Sequence, residues 1–110
     1  MAHFPKTHAS VRAPRTSYSN PEPASFRVAD KVIKGGLQRI SVTGGCAILS
    51  TTVNGGTLAE IAIQTTYGPV CGLIEFLPAR GARGSELPFR FLAFNDTDYE
   101  RLSDALRKSD

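Results

Sequence analysis

Between residues 25 and 78 apolar and polar side chains tend to alternate with a period of two, the mark of strands buried on one face. Phe26 and Val28 share a face with Arg27 and Ala29 between them, and Val32 and Ile33 carry an apolar segment up to Lys34. Gly35 and Gly36 interrupt it, and a second strand is predicted from Leu37 to Thr43, with Ile40 and Val42 on one face and Arg39 and Ser41 on the other. Two successive polar positions make that second face a solvent or ligand face. After Gly44 and Gly45 a strand resumes at Cys46–Leu49 and ends at Asn54, Gly55 and Gly56, where Asn-Gly predicts a type I′ hairpin with positive φ at both central positions. Leu58 to Thr66 alternates with Ala59, Ile61 and Ile63 inward and Glu60 and Gln64 outward. Tyr67, Gly68 and Pro69 mark a turn before Val70 to Leu77, which is nearly continuous in apolar character and so predicted to be central. The stretch 80–86, rich in glycine and charge, predicts an exposed loop, and Leu87 to Phe94 a last strand with Phe89 and Phe91 on one face.

The two ends of the chain depart from this rhythm. Residues 1–24 hold Pro5, Pro14, Pro21 and Pro23 among Ser, Thr, Asn and His without an apolar period, which predicts an extended or flexible arm ahead of a folded body at 25–110. At the other end Tyr99, Leu102 and Leu106 fall at i, i+3 and i+7 and predict a helix over 97–108. Thr97-x-x-Glu100 reads as a capping box, with Asp98 in the first turn and Arg107 and Lys108 in the last, where the helix dipole favours cations. Six short strands followed by one helix predict an all-β fold with a single C-terminal helix, a small six-stranded antiparallel β-barrel that the helix plugs or flanks.

Composition narrows the function. A chain of 110 residues, 41% hydrophobic, suits one domain with a modest core, and no apolar run reaches the roughly 18 residues of a membrane helix. No membrane insertion is expected, and without an apolar leader stretch at the N-terminus the expected compartment is the cytoplasm. Cys46 and Cys71 both lie in apolar segments and read as small buried thiols rather than a disulfide. The net charge of +3 is unevenly placed. Residues 1–40 carry seven basic side chains against Glu22 and Asp30, residues 41–78 carry only Glu60 and Glu75, and the remainder is balanced. A basic N-terminal third suits an anionic ligand, with a solvated basic tail as the alternative.

Catalytic chemistry finds little to work with. His3 and His8 lie five apart in the arm and lack metal-pair spacing, neither cysteine has a neighbouring Cys or His, and Glu60 and Glu75 sit at outward strand positions. No phosphate loop ending in Lys-Ser/Thr and no nucleophile elbow occurs. No catalytic residue, metal or cofactor is therefore expected, and a binding module is favoured over an enzyme. Non-specific binding of single-stranded nucleic acid needs exposed aromatics, but Phe26, Phe76, Phe89 and Phe91 are placed for the core, so DNA is not an expected partner.

Two segments remain: Arg12-Ala13-Pro14-Arg15, and Arg39-Ile40-Ser41-Val42-Thr43-Gly44-Gly45. Planar guanidinium groups can fork onto phosphates or stack on purines, and a serine and glycines at a strand end can supply a hydroxyl and a close backbone approach. This order, continued through Cys46-Ala47-Ile48-Leu49 to Phe89-Arg90-Phe91-Leu92-Ala93-Phe94 and the helix from Asp98 to Leu106, resembles a PilZ domain over about residues 12–108. The resemblance implies a six-stranded PilZ-like barrel with a C-terminal helix, and a receptor for the bacterial second messenger cyclic di-GMP. Arg12 and Arg15 would then clamp the dinucleotide, with Arg39, Ser41, Gly44 and Gly45 on its other side and a downstream protein as the signalling partner. Two positions depart from the family pattern. Arg12 and Arg15 are separated by two residues instead of three, and Arg39 stands where the family has an Asp or Asn able to accept guanine N–H donors. The alternative is a degenerate PilZ domain that has lost the nucleotide and acts through protein contacts.

Overall fold

The computed structural model describes residues 2–3, 15–81 and 86–108. Its strands are β1 (Ala2–His3), β2 (Arg15–Val28), β3 (Lys31–Ser41), β4 (Gly44–Leu49), β5 (Leu58–Thr65), β6 (Gly68–Phe76) and β7 (Leu87–Asn95), and they precede α1 (Asp96–Lys108). Alternation converts directly into sidedness: Ala59, Ile61 and Ile63 are buried while Glu60, Ala62 and Gln64 face solvent. Each strand from β2 to β7 pairs antiparallel with its neighbours in the order β7-β4-β3-β2-β5-β6, and a further β6–β7 pairing closes the ring. The result is the expected six-stranded antiparallel barrel with one C-terminal helix. β1 adds two residue pairs, Ala2↔Asn95 and His3↔Phe94, to the end of β7.

An aromatic cluster fills the interior. Phe26, Phe76 and Phe89 sit 5.5 to 6.5 Å apart by ring centroid, and Phe89 meets Phe91 edge-on at 5.6 Å. Such geometries add about 0.5–1.5 kcal/mol per pair to the area the rings bury. Leu102 and Leu106 of α1 are each 2% exposed, which confirms the predicted stripe, and Tyr99 packs edge-on against Phe94 at 5.8 Å. Two polar contacts hold the helix on β6: the Asp98 carboxylate accepts the Cys71 backbone N–H (3.1 Å) and Arg101 Nη1 donates to the Pro69 carbonyl (2.9 Å). The helix begins one residue earlier than expected. Asn95 Oδ1 accepts the Asp98 N–H at 2.8 Å and is the N-cap, so Thr97 lies inside the first turn and does not cap.

Three local expectations change, and two of them share a cause. β2 begins at Arg15, ten residues before the alternation becomes visible, so residues 15–24, expected in the arm, are part of the ladder with β3. That ladder breaks between Ser17 and Glu22, where Pro21 has no N–H to offer. Gly35 and Gly36, expected to end a strand, lie inside β3. A Cβ on Gly36 would stand 2.4 Å from Pro21 Cβ, and one on Gly35 would stand 2.6 Å from the Ile48 carbonyl oxygen. The glycines thus let β3 pass the proline kink and β4 at close range. The reversal between β2 and β3 comes instead at Ala29 and Asp30, with Ala29 at φ 58°.

The third change concerns Asn54-Gly55. β4 and β5 are not neighbours, so these residues belong to a crossing connection and not to a hairpin. Only Gly56 takes a positive φ (88°), the Thr57 N–H donates to the Asn54 carbonyl, and the Gly56 N–H donates to Phe76 at the end of β6. Both cysteines are free. Cys46 is buried, with its thiol 3.4 Å from Gln38 Oε1, whereas Cys71 is exposed because its place in β6 turns it outward, as it does Leu73. Among the described residues no helix is long and apolar enough to cross a membrane.

Candidate functional site

The end of β3 and the start of β4 form one wall of an open cleft of about 330 Å³. Arg39, Ser41, Thr43, Gly44 and Gly45 line that wall, and Leu77, Arg80, Pro88 and Phe89 line the other side. The floor is Phe89, so the cleft rests directly on the aromatic core. Four of the six sequence-predicted site residues, Arg39, Ser41, Gly44 and Gly45, therefore come together. The backbone of a fifth, Arg15, is in register opposite Ser41. Arg12 lies outside the described residues.

The tight passage from β3 to β4 depends on Ser41. Its hydroxyl accepts the Thr43 backbone N–H (3.2 Å), lies 2.9 Å from Thr43 Oγ1 and donates to the Gly44 carbonyl (3.3 Å). Neither glycine after it needs an unusual φ; each is required for closeness. A Cβ on Gly44 would stand 2.3 Å from the Phe89 carbonyl oxygen, and one on Gly45 would stand 2.4 Å from the Arg39 carbonyl oxygen and 2.9 Å from the Phe89 ring. Gly44 thereby lets β4 meet β7, and Gly45 lets it meet β3. The serine and glycines shape the cleft wall through contacts inside the protein.

The arginines have a different character. Arg39 is half-buried, and among the described residues no hydrogen bond or ion pair engages its guanidinium. Arg80 faces it from the loop after β6, with Glu86 3.7 Å away and reciprocal backbone hydrogen bonds between Arg80 and Glu86 pinning the loop base. Burial pushes the Cys46 thiol above its ordinary pKa; Arg39 opposes this, Glu86 adds to it and Arg80 again opposes it, so both guanidiniums act on this one atom behind the wall. Sequence reasoning missed Arg80 and Thr43. Opposite charges on either side of a glycine-rich loop were the only local signal for Arg80, and its closeness to Arg39 follows from barrel closure alone.

Elsewhere several charged residues pair on the surface. Arg27 meets Glu60 and Arg90 meets Glu75, each at 2.6 Å and on the outside of the barrel, where such pairs contribute about 0–1 kcal/mol. Among the described residues no group of three or more His, Cys, Asp or Glu side chains gathers as a metal site; His8 lies outside them, and His3 is described only as a residue of β1. Phe26, Phe76, Phe89 and Phe91 are all at most 2% exposed and offer no stacking platform.

No family model matches the chain, and no curated protein matches it. Solved structures do. The PilZ domain of YcgR from Escherichia coli, determined with c-di-GMP, superposes with a TM-score of 0.67 at 19% identity, covering 92% of this chain and 94% of that one. The PilZ domain of CeSA from a cellulose-synthesizing bacterium superposes with a TM-score of 0.63 at 13% identity, covering 86% of this chain and 96% of that one. Strand order, barrel closure and terminal helix together give this chain the fold of a PilZ domain.

Proposed function

We propose that this protein is a PilZ-type receptor module that binds cyclic di-GMP at the cleft beside the β3–β4 turn, with Arg12 and Arg15 reaching the ligand from the start of β2. The observation that supports the reading is the register Arg15↔Ser41, which pairs the backbone at one end of the arginine motif with the strand that carries Arg39 and Ser41. Arg12 is three residues from Arg15, and the covalent chain keeps the two within about 11 Å, so one ligand can engage both. The YcgR structure, a PilZ domain with c-di-GMP, supports the choice of ligand. In this mechanism the ligand undergoes no chemistry: it bridges the arginine motif and the barrel body, changing the surface offered to a downstream protein in the cytoplasm.

Titration calorimetry with the purified chain tests this. One site with affinity in the micromolar range or tighter is expected, weakened more by Arg12→Ala or Arg15→Ala than by Lys6→Ala. No heat with cyclic di-GMP at high micromolar concentration would sink it. A second reading, a degenerate module acting through protein contacts, is favoured by one observation: the Ser41 hydroxyl is engaged inside its own turn, and Arg39 offers donors only. Recovery of the same partner protein with and without nucleotide would support that reading.

A further inference from the structure

We propose that Arg39 determines the specificity of the cleft, selecting guanine by forking onto its O6 and N7 acceptors. This deepens the receptor reading and rests on it for the dinucleotide, but not for the base that the cleft takes. Arg80 is ion-paired with Glu86, so among the described residues lining the cleft Arg39 is the cation left without a partner. The other polar groups of its wall are occupied. The Ser41 hydroxyl holds the Thr43 N–H and the Gly44 carbonyl, Thr43 Oγ1 lies 2.9 Å from Ser41 Oγ, and the Thr43 carbonyl receives the Phe91 N–H. No carboxylate is among the described lining residues. Hydrogen bonding to a ligand therefore falls to one planar donor fork, which needs two adjacent acceptors held in a plane. Leu77, Pro88 and Phe89 on the other side are apolar, and the volume of about 330 Å³ falls within the range of small-molecule sites, about 300–1,000 Å³, so the cleft suits a flat ring. Guanine presents O6 and N7 side by side on one edge, whereas adenine places its N6 amino donor beside N7 and would set donor against donor. Because the fork takes that edge, the guanine 2-amino group on the opposite edge goes unread.

The test is calorimetric titration of the intact chain with cyclic di-GMP, its adenine, hypoxanthine and 7-deazaguanine counterparts, and the mononucleotides GMP and AMP. Cyclic di-GMP should bind at least about tenfold more tightly than the adenine form, and at least about fivefold more tightly than the 7-deazaguanine form, which has a C–H in place of N7. The hypoxanthine form keeps O6 and N7 but lacks the 2-amino group, and should bind within about threefold of cyclic di-GMP. Arg39→Ala should bring the guanine and adenine forms within about threefold of each other, and Arg39→Gln should narrow or reverse their ratio, since a glutamine amide matches adenine N6 and N7. Lys31→Ala, at the far end of β3, should leave the ratio unchanged. Four results overturn this inference and leave the receptor reading standing: cyclic di-GMP binding without preference over the adenine form, a preference unmoved by both Arg39 variants, full affinity for the 7-deazaguanine form, or a loss of about tenfold with hypoxanthine. An Arg39-dependent preference for GMP over AMP with no dinucleotide binding does the reverse. No binding of any of these nucleotides overturns both.

Discussion

Ser41→Ala should destabilise the protein with no ligand present. The side chain makes three contacts inside its turn: one of 2.9 Å with Thr43 Oγ1, and two longer ones with the Thr43 N–H and the Gly44 carbonyl. A net intramolecular hydrogen bond contributes about 0.5–1.5 kcal/mol, and in this half-buried turn water replaces part of what is lost, so the sum is about 1–2 kcal/mol. For a domain of this size the melting temperature should fall by about 5–12 °C. Urea denaturation followed by circular dichroism measures it, and an unchanged slope with a lower midpoint is expected, since the barrel itself is not altered. Thr43→Val removes the 2.9 Å contact but keeps the backbone N–H on Ser41, so it should cost less, about 0.5 kcal/mol. A loss below about 0.3 kcal/mol for Ser41→Ala would refute the reasoning, because it would mean the hydroxyl has no structural duty in the turn. The outcome also decides how a binding defect in that variant is read.

Gly44→Ala should be more damaging, at least about 2 kcal/mol in the same assay, because the new methyl would meet the Phe89 carbonyl oxygen at 2.3 Å, where backbone must move. Ala29→Gly should raise stability by about 0.5–1 kcal/mol, since φ 58° strains an alanine more than the added chain entropy of glycine costs. Asn95→Ala should cost about 1 kcal/mol and Thr97→Ala little, which distinguishes the observed cap from the expected one by thermal melting. Burial is the main cause that raises the pKa values of Cys46, Cys71 and Tyr18. In each case the folded chain then holds its proton to higher pH than the unfolded chain, so the stability contributed is complete below the unfolded pKa and lost as pH rises through the folded one. The urea midpoint should therefore decline from about pH 8.5 upward, and Cys46→Ala should flatten that decline.

The barrel was legible because its signal is local: period-two alternation set which side chains go inward, and the helix stripe at Tyr99, Leu102 and Leu106 did the same for α1. The start of β2 was hidden because Pro21 and Pro23 remove the sequence cues of a strand, while the feature that rescues it, the missing Cβ of Gly36, lies in another strand. Read alone, Gly35-Gly36 looks like a break; paired with Pro21 it is the accommodation of a kink. Asn54-Gly55 misled for a related reason. The dipeptide favours a reversal, but whether a reversal joins adjacent strands is a property of strand order, which no short window contains. Cys71 and Leu73 show the same limit in β6, where apolar residues occupy both faces and periodicity cannot say which is buried. At the site, Arg39 and Ser41 were legible from their polar face, whereas Arg80 was not, because it arrives from a loop some forty positions along the chain.

The division of labour in the cleft decides which residues are evidence of a ligand. Gly44 and Gly45 are required by the approach of β4 to β7 and β3, and Ser41 by the turn between β3 and β4. A barrel of this topology would need them with no ligand at all, so their match to a family pattern speaks first for the fold. Arg39 is different: it is half-buried on a strand, and among the described residues no hydrogen bond or ion pair engages its guanidinium. An unpaired guanidinium on the cleft wall is what the proposed anionic ligand would engage. Arg80 across the cleft strengthens the field at the same place, and the strand that begins opposite Ser41 brings Arg15 into the neighbourhood. Substitutions at the glycines therefore test the barrel, and only those at the arginines test the ligand.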